Sequence, residues 1–466
     1  MRGCRRRTQT DRHRSSLQSG QPAGPAQKET VMISRKPFQH LRPEGWLRLA
    51  LFALGVFYAV FTAGVLLKSG PFAPAGVDFR ALFAAARIAA TSGFAQVYNL
   101  AAQNEVQEAL MAPYHPPEVS SPPVLLLPVF VAPFCALLPL GLVGGLIVWT
   151  VCNLIVLVIY LVWFLRVSQS DQGDTPRFSG EQTDRTLIAL SLLSFPVFTN
   201  FFLGQTNVWL LVCIGEFLRA WKQGRPFRSG LWLGGLLLKP QTLPLVLPFL
   251  ALSGEWRILS GFAVASAVVG AISLILAGPE GLRTWAILLA HYTNNLPTAA
   301  LPTTNPEAMM NLRMLGEVLS VLFASEAMRG IVTGLAVGVA LLTLWRSLQV
   351  SKRTPEERTG PLLSLLAATF TVTWHSHIHM ATMLVPSFLR QVSTGQMPRR
   401  LFVLWTVLPP AVYFLAMVGM ALLNAWGRPI PPFPGFTYPA LALFIFHIYL
   451  AIRGPCCGIP KTGEVP

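Results

Sequence analysis

Charge is scarce in this chain. Of its 466 residues only 12% are Asp, Glu, Lys or Arg, about half the roughly 25% of ordinary soluble domains. Acid is scarcer still, with 20 Asp and Glu against 36 Lys and Arg. A soluble domain of this size needs more charge to cover its surface, so a soluble enzyme is excluded. A hydrophobic content of 53% excludes a disordered protein. Cysteine is sparse as well: Cys4, Cys135, Cys152, Cys213, Cys456 and Cys457 follow no metal-ligand spacing, and three lie in apolar runs. That pattern excludes a disulfide scaffold and reads as small core residues. What is abundant is apolar surface, with 12 Trp, 29 Phe and a mean hydropathy of +0.52. The chain is a polytopic membrane protein.

Its net charge of +16 could point to nucleic acid, but the distribution argues otherwise. Eleven of the 36 Lys and Arg fall between Arg2 and Arg48, and many others sit in short connectors between apolar runs. This is the arrangement of cytoplasmic segments under the positive-inside rule. No basic patch is interleaved with aromatics in a foldable soluble domain, so nucleic acid is excluded as a partner. Residues 1–46 read as a basic, disordered cytoplasmic tail. Arg5-Arg6-Arg7 lacks the closely following apolar stretch of a secretory signal, so no cleavage is expected.

A bilayer-spanning helix needs about 20 apolar residues. The first such span, about 47–68, leaves the cytoplasm and predicts a long extracytoplasmic loop over 70–120. By its charged residues that loop is net acidic: Asp78, Glu105, Glu108 and Glu118 against Arg80 and Arg87. The proline-rich segment 122–139 reads as interfacial or re-entrant. Full spans follow at about 141–165, 186–203 and 206–221, then further apolar runs reach Ile452. The expected architecture is all-α, with about 10–12 transmembrane or half-membrane helices over 47–453. A second large outer loop is expected over 278–326 and a cytoplasmic tail over 454–466.

Three apolar stretches are interrupted at their apices by polar residues. They are Gly204-Gln205-Thr206-Asn207, Lys239-Pro240-Gln241 and the run from Trp374 to His379. The flanking basic connectors put all three apices on the side of the 70–120 loop. Broken helices at membrane depth are tolerated where they line a cavity or are buried in protein. Four polar clusters therefore converge on one outward-facing cavity.

Lys239 is the only formal charge between Arg228 and Glu255. An ammonium at membrane depth costs at least about 2.5–3.5 kcal/mol, so it either snorkels to the interface or meets a partner. A lipid phosphate would supply the counter-charge. Asp78 can cap a helix over 79–90 or serve as a general base whose basicity is raised beside Phe79 and Phe83. Gln205 and Asn207 can bond neighbouring helices or a ligand. His375, His377 and His379 alternate, which puts them on one face of a strand but not of a helix. Hydrogen bonds to sugar hydroxyls or phosphate suit them better than zinc, which needs three or four convergent ligands. No metal site and no cofactor is indicated.

Taken in order, these residues resemble a known family. An Asp follows the first span, then come Tyr98, Pro122-Pro123, GQTN at 204–207, LLLKP at 236–240, Asn305 with NLR at 311–313, and TWHSH at 373–377. The order is similar to that of bacterial polyprenol-phosphate-mannose-dependent alpha-1,2-mannosyltransferases, of the glycosyltransferase C superfamily, over about 47–390. The family's Asn-x-Ser loop is replaced here by Asn305-Pro306-Glu307 and Met309-Met310-Asn311. Its Trp-x-His-His pattern appears as Trp374-His375-Ser376-His377.

The resemblance implies a glycosyltransferase C-type fold in a bacterial inner membrane. It implies an inverting transfer of a hexose such as mannose from a polyprenyl-phosphate donor to a lipid or glycan acceptor, among membrane lipids. Asp78 would deprotonate the acceptor, and Lys239 would hold the donor phosphate. Gln205, Asn207, His375, His377, Asn305 and Arg313 would complete the phosphate and sugar contacts. Two rival classes are a secondary transporter or lipid-linked-sugar flippase, and a lipid-linked polysaccharide polymerase or ligase. The first predicts internal repeats, and no convincing one is seen. The second places its large outer loop late in the chain, whereas here it follows the first span.

Overall fold

The structure, a computed structural model, describes residues 43–72, 75–114, 121–170, 181–293, 308–351, 359–373, 375–431, 433 and 435–453. The chain divides into two units, Met1–Trp46 and Leu47–Pro466. Of the first only residues 43–46 are described, where α1 begins; the rest of the tail expected over 1–46 lies outside the described residues, as do 454–466.

The described residues are helical, with no strand beyond one isolated bridge between Met309 and His377. The first helix, α1 (Pro43–Ser69), is apolar and long enough to cross a bilayer. The stretch that follows, expected as an outer loop, contains α2 (Val77–Ser92) and α3 (Leu100–Met111). Residues 121–127 then run without helix to α4 (Pro128–Cys135), followed by the long α5 (Gly141–Ser170). The segment expected to be interfacial is therefore part extended chain and part short helix.

Helices α6 (Glu181–Leu192) and α7 (Phe195–Leu203) form a pair bent by 47° at a break before Pro196. Pro196 sits in the first turn of α7, where its missing N–H leaves no bond unmade. After α8 (Asn207–Lys222) and α9 (Pro226–Leu233), the chain tightens into short 3₁₀ turns around Lys239 before α10 (Val246–Leu252). Next comes α11 (Trp256–Thr293), kinked where Gly278 takes a left-handed φ of 66°. The stretch after Gly278, expected as loop, is helical to Thr293 and resumes at α12 (Leu312–Leu322). The remaining helices are α13 (Ala327–Ser351), α14 (Leu362–Val372), α15 (Val385–Ser393), α16 (Arg399–Ala425) and α17 (Thr437–Arg453).

Among the described residues five helices are long and apolar enough to span, and the bent pair, taken as one span, makes a sixth. Their outer faces carry bare hydrophobics such as Phe52, Ile159, Ile275, Leu341 and Leu415, each more than 60% exposed. Water would not tolerate such surface, so lipid must cover it. This is a multi-pass, all-α membrane protein. The inner faces pack one large core, while α2, α3 and α4 build a second around Phe79, Phe83, Tyr98, Val131 and Phe134.

A candidate active site

Two chain segments meet at glycines. Gly76 and Gly204 both have left-handed φ, 77° and 76°. Gly76 precedes α2 and donates its N–H to the Phe202 carbonyl at 2.7 Å. Gly204 ends α7 against the start of α2, so closely that a Cβ there would lie 2.5 Å from Phe79 Cβ. Only glycine permits both the dihedral and the approach. As a result Gln205 lies beside Asp78, although 127 residues separate them.

Gln205 donates from Nε2 to Asp78 Oδ2 at 2.6 Å. Its Oε1 accepts from Lys239 Nζ at 2.7 Å. Asp78, Gln205 and Lys239 thus form one polar chain along the wall of a cavity of about 480 Å³. Asp78 occupies the first turn of α2, yet the position before the helix is Gly76, and no side-chain cap bond is made there. The carboxylate faces the cavity and the amide instead. Lys239 is 9% exposed and does not snorkel to the surface.

The charges disturb one another. Burial raises the Asp78 carboxyl above its ordinary value, against the opposing pull of the Gln205 amide, Lys239 and Arg80. Burial lowers Lys239 to about 8, and Asp78 only partly offsets it. The result is a carboxylate and an ammonium buried in one cavity, both held away from their ordinary titration range. Such perturbation in a cleft marks a candidate functional site.

The histidines line the same cavity. Asn311 caps α12 by accepting from Met314 N at 2.9 Å and donates to the Thr373 carbonyl at 2.8 Å. Met310 N donates to the Ser376 carbonyl at 2.8 Å, beside the Met309–His377 bridge. Thr373 and His377 are extended at these contacts, and His375 and His377 both reach the cavity with ring centroids 4.7 Å apart. His379, on the following turn, lines it too, 5.7 Å from His377. Burial and the neighbouring cations lower all three, His377 to about 4, so the row is uncharged at neutral pH. Among the described residues no group of His, Cys, Asp and Glu could hold a metal ion.

The sequence-based candidates divide. The cavity gathers Asp78, Gln205, Lys239, His375 and His377. Asn207 is fully buried and donates to the His379 carbonyl at 3.0 Å, a structural use of its amide. Arg313, on α12, is not among the cavity-lining residues, although its charge acts on His375, His377 and Tyr292. Asn305 and Trp374 lie outside the described residues.

Sequence reasoning marked Pro122-Pro123 and a re-entrant segment over 122–139, but not the strap 122–127 as a wall of the cavity. It has no partner strand, and side chains satisfy its backbone. Pro122 O accepts from Gln107 Nε2 at 3.1 Å, and Val124 N donates to Gln103 Oε1 at 2.8 Å. Leu125 O accepts from Trp285 Nε1 at 2.8 Å, and Leu126 O accepts from the Tyr98 hydroxyl at 2.7 Å. Trp285, Leu289 and Tyr292 line the cavity from one face of α11, as their i, i+4, i+7 spacing requires. The fully buried Arg80 braces this wall through the Phe72 carbonyl at 3.1 Å and Gln107 Oε1 at 3.4 Å.

A protein-family model, Glycosyltransferase family 87, matches residues 122–374. The match begins at the strap and takes in Gln205 and Lys239; Asp78 lies before it and His375 just after. No curated protein and no solved structure matches the chain.

Proposed function

The chain belongs to glycosyltransferase family 87, and on that premise we propose that its cavity transfers a sugar from a polyprenyl-phosphate donor to an acceptor hydroxyl. One observation carries the reading: Asp78 and Lys239, an acid and a base two hydrogen bonds apart, share an apolar-walled cavity. A base suits an incoming hydroxyl, and a cation suits a leaving phosphate.

In the proposed step Asp78 takes the proton of the acceptor hydroxyl. The oxygen attacks the anomeric carbon from the face opposite the phosphate. The bond from that carbon to the phosphate oxygen breaks with its electron pair, and polyprenyl phosphate leaves. The product is inverted at the anomeric carbon. Negative charge gathers on the departing phosphate, where a preorganised ammonium has most effect. His375 and His377, uncharged, would hydrogen-bond sugar hydroxyls or phosphate oxygens.

The apolar strap and the Leu237–Leu238 wall suit an isoprenoid tail. The acceptor is a lipid or glycan, and the sugar a hexose, with mannose expected from the resemblance. The distribution of basic residues supports an inside N-terminus and an outward-opening cavity; a bacterial inner membrane is expected from the resemblance. Mass spectrometry of membrane glycolipids, with the protein and with its Asp78→Asn variant, tests the reading. A glycolipid present with the former should be absent with the latter, since losing a general base costs roughly 10²–10⁴-fold. Activity retained within about tenfold would reduce Asp78 to a structural acid.

A further inference from the structure

Gln205 stands between the two charged groups, and both ends of its amide are engaged. Oε1 can only accept, so it faces the ammonium; Nε2 can only donate, so it faces the carboxylate. Gly204, held in its left-handed conformation against Phe79, fixes the backbone from which this side chain extends. An amide oriented in this way supports the ionised form of Asp78. It does so best while the ammonium polarises its far end.

We propose that Gln205 is a positioning residue that ties the charge of Lys239 to Asp78, so that an anion bound at Lys239 frees the Asp78 carboxylate to take a proton. The inference rests on the reading of Lys239 as the phosphate holder and Asp78 as the base. With the cavity empty of anion, ammonium and amide keep Asp78 ionised and a weak base. An anion at Lys239 neutralises that field and adds a like charge near the carboxylate. Both effects favour Asp78 in its protonated form. In turnover the proton comes from the acceptor hydroxyl, so the base strengthens only once donor is in place. Linkage then requires the converse: protonating Asp78 must tighten anion binding. The other titratable or charged groups facing this pair are Arg80, Tyr292 and the three histidines, with Arg313 behind them acting on Tyr292, His375 and His377.

The test uses the full chain in a maltoside detergent, which has no ester carbonyl, and farnesyl methyl phosphate, a diester with one negative charge across the working pH range. Difference infrared spectra on adding this probe report a protonated carboxyl directly, which separates Asp78 from the lysine and histidines. The wild type should gain a protonated-carboxyl band that is absent from Asp78→Asn. Asp78→Asn should also bind the probe tighter at pH 6, by about tenfold for removal of one like charge nearby. Gln205→Met, its carboxyl protonated beforehand, should gain no band and should bind the probe tighter than wild type at pH 6, in the same direction as Asp78→Asn.

A wild type that binds the probe without gaining the band overturns the coupling. A band gained equally by Gln205→Met removes Gln205 from it. If that variant does not fold, wild type and Asp78→Asn still decide the coupling, and Gln205→Asn, too short to reach both partners, replaces it. Undiminished binding by Lys239→Met would instead overturn the phosphate assignment beneath the proposal, and the proposal with it.

Discussion

Replacing Lys239 by Met should stabilise the protein while destroying its hold on a phosphate anion. Burial lowers the lysine from 10.5 to about 8, a difference of roughly 3 kcal/mol at 1.36 kcal/mol per pH unit. The sign follows from proton counting. Between about 8 and 10.5 the unfolded chain keeps the proton that the folded one has lost, so stability rises with pH there. Below about 8 both forms are charged and the full penalty applies; above 10.5 it vanishes. Met retains most of the apolar stem and removes the charge. Gln205 then loses a donor to its Oε1, which costs about 1–2 kcal/mol. The net gain at neutral pH is about 1–2 kcal/mol, or on the order of 1–2 °C in melting temperature for a chain of this length. Thermal unfolding followed by tryptophan fluorescence at pH 7 and pH 10.5 measures both quantities. The variant should lead at pH 7, and its lead should shrink by pH 10.5. Probe binding should fall on the order of 10–150-fold with the lost charge-assisted contact. A variant less stable than wild type at pH 7, or a lead that ignores pH, would refute the assignment of a strained buried ammonium.

Transfer should follow a bell-shaped pH profile, because Asp78 must be ionised and Lys239 charged. Activity should fall as pH drops through the raised Asp78 value and again as it rises through about 8; a flat profile over pH 7–10 would exclude Lys239 from the reaction. Gly204→Ala should lose about 2 kcal/mol or more, from the left-handed dihedral and the approach to Phe79. It should also lose transfer by displacing Gln205, and wild-type turnover in that variant would dissociate the α7–α2 contact from the site. Cysteines introduced at Leu100 and Arg225 should label from opposite sides of the membrane, and labelling from one side would end the proposed topology.

Asp78, Gln205, Lys239 and the histidines were legible because each is a polar group in an apolar setting, where insertion costs free energy and demands a reason. The spans were legible for the complementary reason of length and hydropathy. The strap was not. Gln103 and Gln107 sit in an ordinary amphipathic helix, where an amide looks like solvated surface until the backbone it satisfies is seen. Trp285 and Tyr292 fell in a stretch expected to be loop, because Gly278 and Pro279 resemble a terminus; the glycine instead turns one helix into another. Asn207 had the right chemistry in the right motif, but its bond to the His379 carbonyl depends on a contact 172 residues away. No local pattern encodes that distance.

The clamped strap separates holding from reading. Its four clamping hydrogen bonds engage only main-chain atoms of 122–126, so they are indifferent to which side chains the strap carries. Leu125 and Leu127, both half-buried, can change size or polarity without breaking these bonds, whereas Val124 is packed into the core behind the strap. A lineage built on this scaffold can therefore explore new substrates by exchanging strap residues one at a time, each step leaving the architecture intact. Tyr98, Gln103, Gln107 and Trp285 have no such freedom, since altering any one of them moves the whole wall. Diversification should run along the strap, and constancy should fall on the side chains that clamp its backbone.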